Sequence, residues 1–243
     1  MTGTILNVST VLVGGTVGAV IGERLPNRFR ETVMHAIGLM TLLIGFQMAL
    51  GTRSAIIVLG SVVLGAVLGE AAGIDDALKS LGDWVERKVA GKETGANHAK
   101  LDGGQVTGES PFSRGFVMAS LVFCVGPMTI LGSFQDGLTG VYNTLAVKSV
   151  LDGFTAIALA SSLGWGVVLS SIVVLVYQGA LTMGAVWAKP LLSEPVMTEM
   201  TAAGGLLIVG IGLNILGLTK IRVANMLPAL VIAPLLVMLT AGK

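Results

Sequence analysis

Charged side chains are scarce in this chain: Asp, Glu, Lys and Arg together make up 12% of its 243 residues, about half the quarter that a soluble domain carries. A water-facing shell cannot be built from that supply, so lipid is the expected solvent for most of the surface. Histidine is rarer still. The two present, His35 and His98, are not spaced as metal ligands, and no His-Glu-x-x-His, no Gly-x-Ser-x-Gly and no phosphate-binding loop occurs. An enzymatic role is not expected, nor is a metal or a cofactor. A formal net charge of +1 without clustered cations argues against a nucleic-acid partner, because phosphate binding needs such clusters. The single cysteine, Cys124, lies in an apolar run, rules out an intramolecular disulfide and reads as a small packing residue.

What the chain has in abundance is apolar surface: 53% hydrophobic residues, a mean hydropathy of +0.85 and glycine at 34 positions. A bilayer core about 30 Å thick is crossed by roughly 20 apolar residues in a helix. Eight stretches meet that standard, at 5–22, 32–50, 54–74, 116–134, 142–162, 164–188, 197–217 and 223–240. Backbone groups in hydrocarbon must be satisfied within the segment, so these spans are helices and the fold class is all-α, a polytopic membrane bundle. The first stretch has no basic residue before it and is expected to stay as a membrane helix.

The spans suggest four segments: a first three-helix unit over 1–74, a polar segment over 75–114, a central helix pair over 115–163 and a second three-helix unit over 164–243. In the polar segment, Leu78, Leu81, Trp84, Val85 and Val89 recur at helical spacing with charges opposite, the pattern of an amphipathic helix lying on a membrane surface. Residues 91–111, rich in Gly, Asn, Ser and Lys, read as a flexible linker. With loops alternating sides, eleven Lys and Arg fall on one side, from Arg24 through Lys79 and Arg114 to Arg222. Four fall on the other: Arg53, Lys148, Lys189 and Lys243. The positive-inside rule then puts 75–114 in the cytoplasm and both termini outside a plasma membrane.

An internal repeat is visible. Residues 38–53 align without a gap on 205–220, pairing Gly38 with Gly205, Gly45 with Gly212, Gln47 with Asn214 and Thr52-Arg53 with Thr219-Lys220. Upstream, Val11-Leu12-Val13 followed by Gly18-Ala19-Val20 resembles Val174-Leu175-Val176 followed by Gly184-Ala185-Val186, with a small insertion around Tyr177-Gln178. The two units lie five spans apart and so cross in opposite directions, the inverted repeat that secondary transporters build around a midplane site. The amides Gln47 and Asn214 are then expected at matching depth, as ligands or as interhelical hydrogen-bonding partners.

Polar residues inside spans are the candidate solute- or ion-binding groups. Gly126-Pro127 should break its helix, with Thr129, Ser133, Gln135 and Asp136 adding oxygens just after it. Lys148 and Asp152, four apart, stack on one helix face as an ion pair, and Asn143, Ser149 and Thr155 extend that polar seam. Gln178 interrupts the sixth span. Cys-Val-Gly-Pro-Met-Thr-Ile-Leu-Gly-Ser at 124–133 with Gln135-Asp136-Gly137, Lys148-Ser149-x-Leu151-Asp152-Gly153, and Tyr177-Gln178-Gly179 resemble the YqgA/YdfK-like family of bacterial inner-membrane proteins. That resemblance covers nearly the whole chain. It implies a multi-spanning plasma-membrane protein and suggests transport without naming a substrate. The expectation is a transporter or channel for a small polar solute or ion, with lipid around it and glycine-rich faces suited to a homo-oligomer. The alternative is a non-transporting scaffold or sensor that docks a partner through 75–114.

Overall fold

A computed structural model of the chain describes residues 1–22, 24, 26–89, 110–188 and 193–241. Helices α1 (Thr2–Gly22), α2 (Asn27–Ala49) and α3 (Ala55–Ala72) are followed by α4 (Ile74–Val89), then by α5 (Pro111–Cys124), α6 (Pro127–Thr139), α7 (Asn143–Leu163) and α8 (Trp165–Met183). A short turn of helix, α9 (Ala185–Ala188), precedes α10 (Glu194–Ile215), a 3-10 turn (Val223–Met226) and α11 (Ala229–Ala241). Among the described residues, seven helical segments are long and apolar enough to cross a membrane, and α5 with α6 makes an eighth if that bent pair counts as one span. The chain is a polytopic α-helical membrane protein.

The expected break is at Gly126-Pro127. Val125 leaves the helix at φ −88, ψ 98 and Gly126 is fully extended, after which Pro127 opens α6, a position where its missing N–H costs nothing. The two halves are bent by 60°. Thr129 Oγ1 donates to the Phe123 carbonyl at 3.1 Å, so a hydroxyl next to the break satisfies backbone that the break exposes. Gly140, at φ +72, ends α6 in a left-handed turn that glycine adopts without strain, and α7 starts three residues later.

Small residues set how the helices pack. Along α1, Gly14, Gly18 and Gly22 lie against Gly153, Ile157 and Ser161 of α7, and a Cβ on any of the three would sit 2.2 to 2.3 Å from a backbone oxygen. Both numberings rise together, so α1 and α7 are parallel, joined along a stripe of small residues four apart. Against α8, α1 is antiparallel: Thr4 meets Thr182, Asn7 meets Gln178 and Gly15 meets Val168. Helix α2 runs antiparallel to α10, with Gly38 on Leu216, Gly45 on Val209 and Gly205 on Ala49. Helix α3 is likewise antiparallel to the last segment, with Gly65 on Ala229 and Gly69 on Asn225. The outer faces of α2 and α3 expose Leu39, Leu43, Phe46, Ile56 and Leu59, which suits acyl chains as solvent.

Helix α4 rests on α5 and the 3-10 turn. Leu78 packs on the core and Trp84 is half exposed, while Asp75 and Lys79 form an ion pair at 2.8 Å, as an amphipathic interfacial helix would. Residues 90–109, most of the expected linker, lie outside the described residues.

Candidate functional site

Four helices, α1, α6, α7 and α8, bring their polar side chains together. Lys148 and Asp152, one turn apart on α7, form an ion pair, with both side chains about nine-tenths buried. Asn7 of α1, fully buried, donates from Nδ2 to Asp152 Oδ2 and to Gln178 Oε1 of α8, each at 3.0 Å. One turn nearer the α1 terminus, Thr4 Oγ1 and Thr182 Oγ1 lie 3.2 Å apart, and the Thr182 hydroxyl donates to the Gln178 carbonyl at 2.9 Å. At the end of the series, Asp136 Oδ2 of α6 accepts from the Gly3 N–H at 3.1 Å and lies 2.9 Å from the α-amino group of Met1. At 1.5 Å per residue, the ladder from Gly3 to Asn7 descends about 6 Å, and Asp152 lies about 14 Å along α7 from Asn143. The cluster thus lies near the middle of α7 but within about a turn and a half of the ends of α1 and α8.

The ladder is not closed on itself. Asn7 Oδ1, Gln178 Nε2 and Ser133 Oγ are buried without a hydrogen-bond partner, although buried polar groups are nearly always paired. Asn7 Oδ1 is an acceptor and Gln178 Nε2 a donor, and they flank the Asn7–Gln178 hydrogen bond. Ser133, completely buried on α6, can play either role. The cluster can therefore offer a guest both a donor and an acceptor beside a fixed positive and a fixed negative charge.

Other expected residues stand apart from it. Ser149 is buried but donates to its own helix, to Leu145 O at 2.7 Å. Thr155 does the same with Leu151 O at 2.9 Å on a half-exposed face. Gln135 accepts from Thr144 at 2.7 Å across the α6–α7 turn, and Asn143 is exposed at the start of α7. Gln47 faces outward from α2. Asn214 holds the chain after α10, donating to Ile221 O and accepting from Ile221 N and Thr219 Oγ1 at 2.7 to 3.0 Å. These two amides, aligned with each other in the sequence, do not meet the ladder.

Asn7, Thr4 and Thr182 are the residues that sequence reasoning passed over. One signal was available for Asn7: it stands on the helical face of Val11, Gly14, Gly18 and Gly22, the face that packs most tightly. Two further carboxylates act at the helix ends. Glu199, 2% exposed on α10, accepts from Thr52 Oγ1 at 2.6 Å, Arg53 N at 2.8 Å and Ser54 N at 3.0 Å, clamping the α2–α3 turn. At the opposite end of α3, Glu70 binds Arg222 at 2.6 Å and Asn225 Nδ2 at 2.5 Å.

Residues 2–238 match a family model described as protein of unknown function (DUF554). The chain is 33% identical over 231 residues to the "Uncharacterized protein YqgA" of Escherichia coli (strain K12), covering 95% of this chain and 94% of that protein. It is 27% identical over 241 residues to the "Uncharacterized membrane protein YdfK" of Bacillus subtilis (strain 168), covering 98% and 96%. No solved structure matches.

Proposed function

The chain belongs to the DUF554 family of unknown function, and on that footing we propose that it carries a small polar solute or ion across the bacterial plasma membrane. The observation that carries this reading is the buried cluster of Lys148, Asp152, Asn7 and Gln178, in which Asn7 Oδ1 and Gln178 Nε2 lack partners. Charges held in hydrocarbon are costly, and where they persist they usually line a hydrophilic route. The ladder from Asp136 through Thr4 and Thr182 leads from the α1 terminus to that cluster. Below it, the glycine-tight seam of α1 and α7 forms the closed side.

An inverted repeat supports the same reading. Residues 38–53 of α2 align without a gap on 205–220 of α10, and the two helices pack antiparallel through glycines on both, as the two members of such a repeat would. The excess of Lys and Arg at one end orients the bundle with that end in the cytoplasm and the Asp136 end outside. The break at Gly126 supplies the hinge through which α6 shifts against α5 while the solute passes.

The test is a panel of polar solutes and ions screened for a rise in melting temperature of the purified protein in detergent. A true ligand raises the melting point of the wild type in proportion to its occupancy and leaves Asp152→Asn unmoved. Equal responses from both proteins, or none from the wild type across the panel, would count against the site.

A further inference from the structure

The two amides at the centre of the cluster are spent in complementary ways. Asn7 Nδ2 gives one hydrogen to Asp152 Oδ2 and the other to Gln178 Oε1, each at 3.0 Å, so the acceptor Oδ1 is what Asn7 has left. Gln178 is the reverse case: its Oε1 is taken, and its Nε2, with two hydrogens to give, has no partner. Both side chains are fully buried, and buried amides seldom forgo that much hydrogen bonding. The charged groups beside them are, by contrast, committed. Lys148 is held by Asp152, and Asp136, at the far end of the ladder, by the Gly3 N–H and the α-amino group of Met1. The hydroxyls between, on Thr4 and Thr182, are neutral and can give or take a hydrogen bond.

We propose that the solute of this site is uncharged and carries a hydrogen-bond donor beside an acceptor, the chemistry of a small amide, a urea or a polyol. This rests on the reading of the Asp152 cluster as the solute site and adds the class of solute. Such a molecule donates to Asn7 Oδ1 and accepts from Gln178 Nε2 while the Lys148–Asp152 pair stays closed. Both spare groups gain partners, and no charge is added to a buried pair that is already neutral. A cation leaves Nε2 without an acceptor and sets a second positive charge beside Lys148. An anion leaves Oδ1 without a donor and sets a second negative charge beside Asp152. A zwitterion finds partners for its charges only by prising the pair apart, which leaves both amides as they were.

The test uses the full chain in phosphatidylcholine liposomes, with osmotic swelling followed by light scattering in gradients of urea, acetamide and glycerol. Glycine is the zwitterionic control. The ionic controls are potassium thiocyanate, whose anion crosses lipid unaided, and potassium chloride with valinomycin, which carries the cation. At least one uncharged probe is expected to enter faster than into protein-free liposomes, while the controls enter both alike. Gln178→Met keeps the length of the side chain and removes its donor, and should slow the protein-dependent rate about tenfold. Should that variant fail to melt cooperatively, Thr4→Val, which keeps its shape and removes a neutral group of the ladder, carries the test with a slowing in the same direction. An ion or glycine entering through the wild type as readily as the uncharged probes, and not through Asp152→Asn, overturns the inference and leaves the polar site standing. A folded Gln178→Met as fast as the wild type has the same meaning. Silence from every probe overturns both.

Discussion

Neutralising Asp152 while keeping its shape should be costly, and neutralising Lys148 at the same time should remove most of that cost. The Asp152 and Lys148 side chains are 12% and 8% exposed, and among the described residues the polar group that joins the pair is the Asn7 amide. Removing one member of a buried ion pair typically costs about 3–5 kcal/mol, because it leaves the other charge uncompensated. Asp152→Asn keeps an acceptor for Asn7 and should fall near about 3 kcal/mol. Lys148→Met, which leaves a carboxylate held by one amide, should fall higher in that range. The double variant buries no charge and should come within about 1 kcal/mol of the wild type, since apolar replacement of a buried pair is often neutral. The double-mutant cycle then yields a coupling of about 5 kcal/mol or more, the sum of the single costs less that of the double variant. Reversible unfolding in mixed detergent micelles, followed by far-ultraviolet circular dichroism, measures all four corners. Additive single costs, or single costs below about 1 kcal/mol, would refute the premise that this pair is shielded from water.

Other outcomes follow from particular contacts. Gly18→Leu puts a side chain where a Cβ already meets the Ile157 carbonyl at 2.3 Å, so monodisperse protein should be lost on size exclusion. Gly179→Ala, whose Cβ has its nearest contact at 3.8 Å, should be neutral or more stable by about 0.5–1 kcal/mol. Glu199→Ala strands the Arg53 and Ser54 amides and should cost about 1–3 kcal/mol; trypsin should then cut at Arg53 faster than in the wild type, and an unchanged rate would contradict the clamp. Asn214→Ala should lower stability by about 1–2 kcal/mol by removing three hydrogen bonds after α10 without altering solute binding. Gln47→Leu should stay within about 0.5 kcal/mol of the wild type.

The membrane spans were legible because hydropathy over some 20 residues is a property of the sequence itself, whatever the neighbours. The break between α5 and α6 was legible for a similar reason, since Gly126-Pro127 disrupts a helix through local sterics. So was the stacking of Lys148 on Asp152, which needs only the helical repeat. What the sequence could not convey is azimuth. The alignment puts Gln47 and Asn214 at corresponding positions, yet nothing local tells that Gln47 turns outward or that Asn214, near the end of α10, serves the chain that follows. Asn7 is the converse case: one amide in an apolar run gains its meaning only when the glycine stripe of α1 brings α7 and α8 within hydrogen-bonding distance. Oxygens that looked available near the break and along the ion-pair seam were also committed locally, Thr129 to Phe123 O and Ser149 to Leu145 O. Short hydroxyl side chains in helices often bond back to their own turn.

Labelling of an introduced thiol by a membrane-impermeant reagent tests the hydrophilic route most directly. With Cys124, the sole cysteine, replaced by Ser, Thr182→Cys would place the thiol beside Thr4 on the ladder and Ala156→Cys would place one in the fully buried core of α7. In sealed vesicles exposing the Asp136 end, the account predicts that the thiol at 182 reacts and the thiol at 156 does not. Equal inertness at both positions, in folded protein and in vesicles of either orientation, would contradict it.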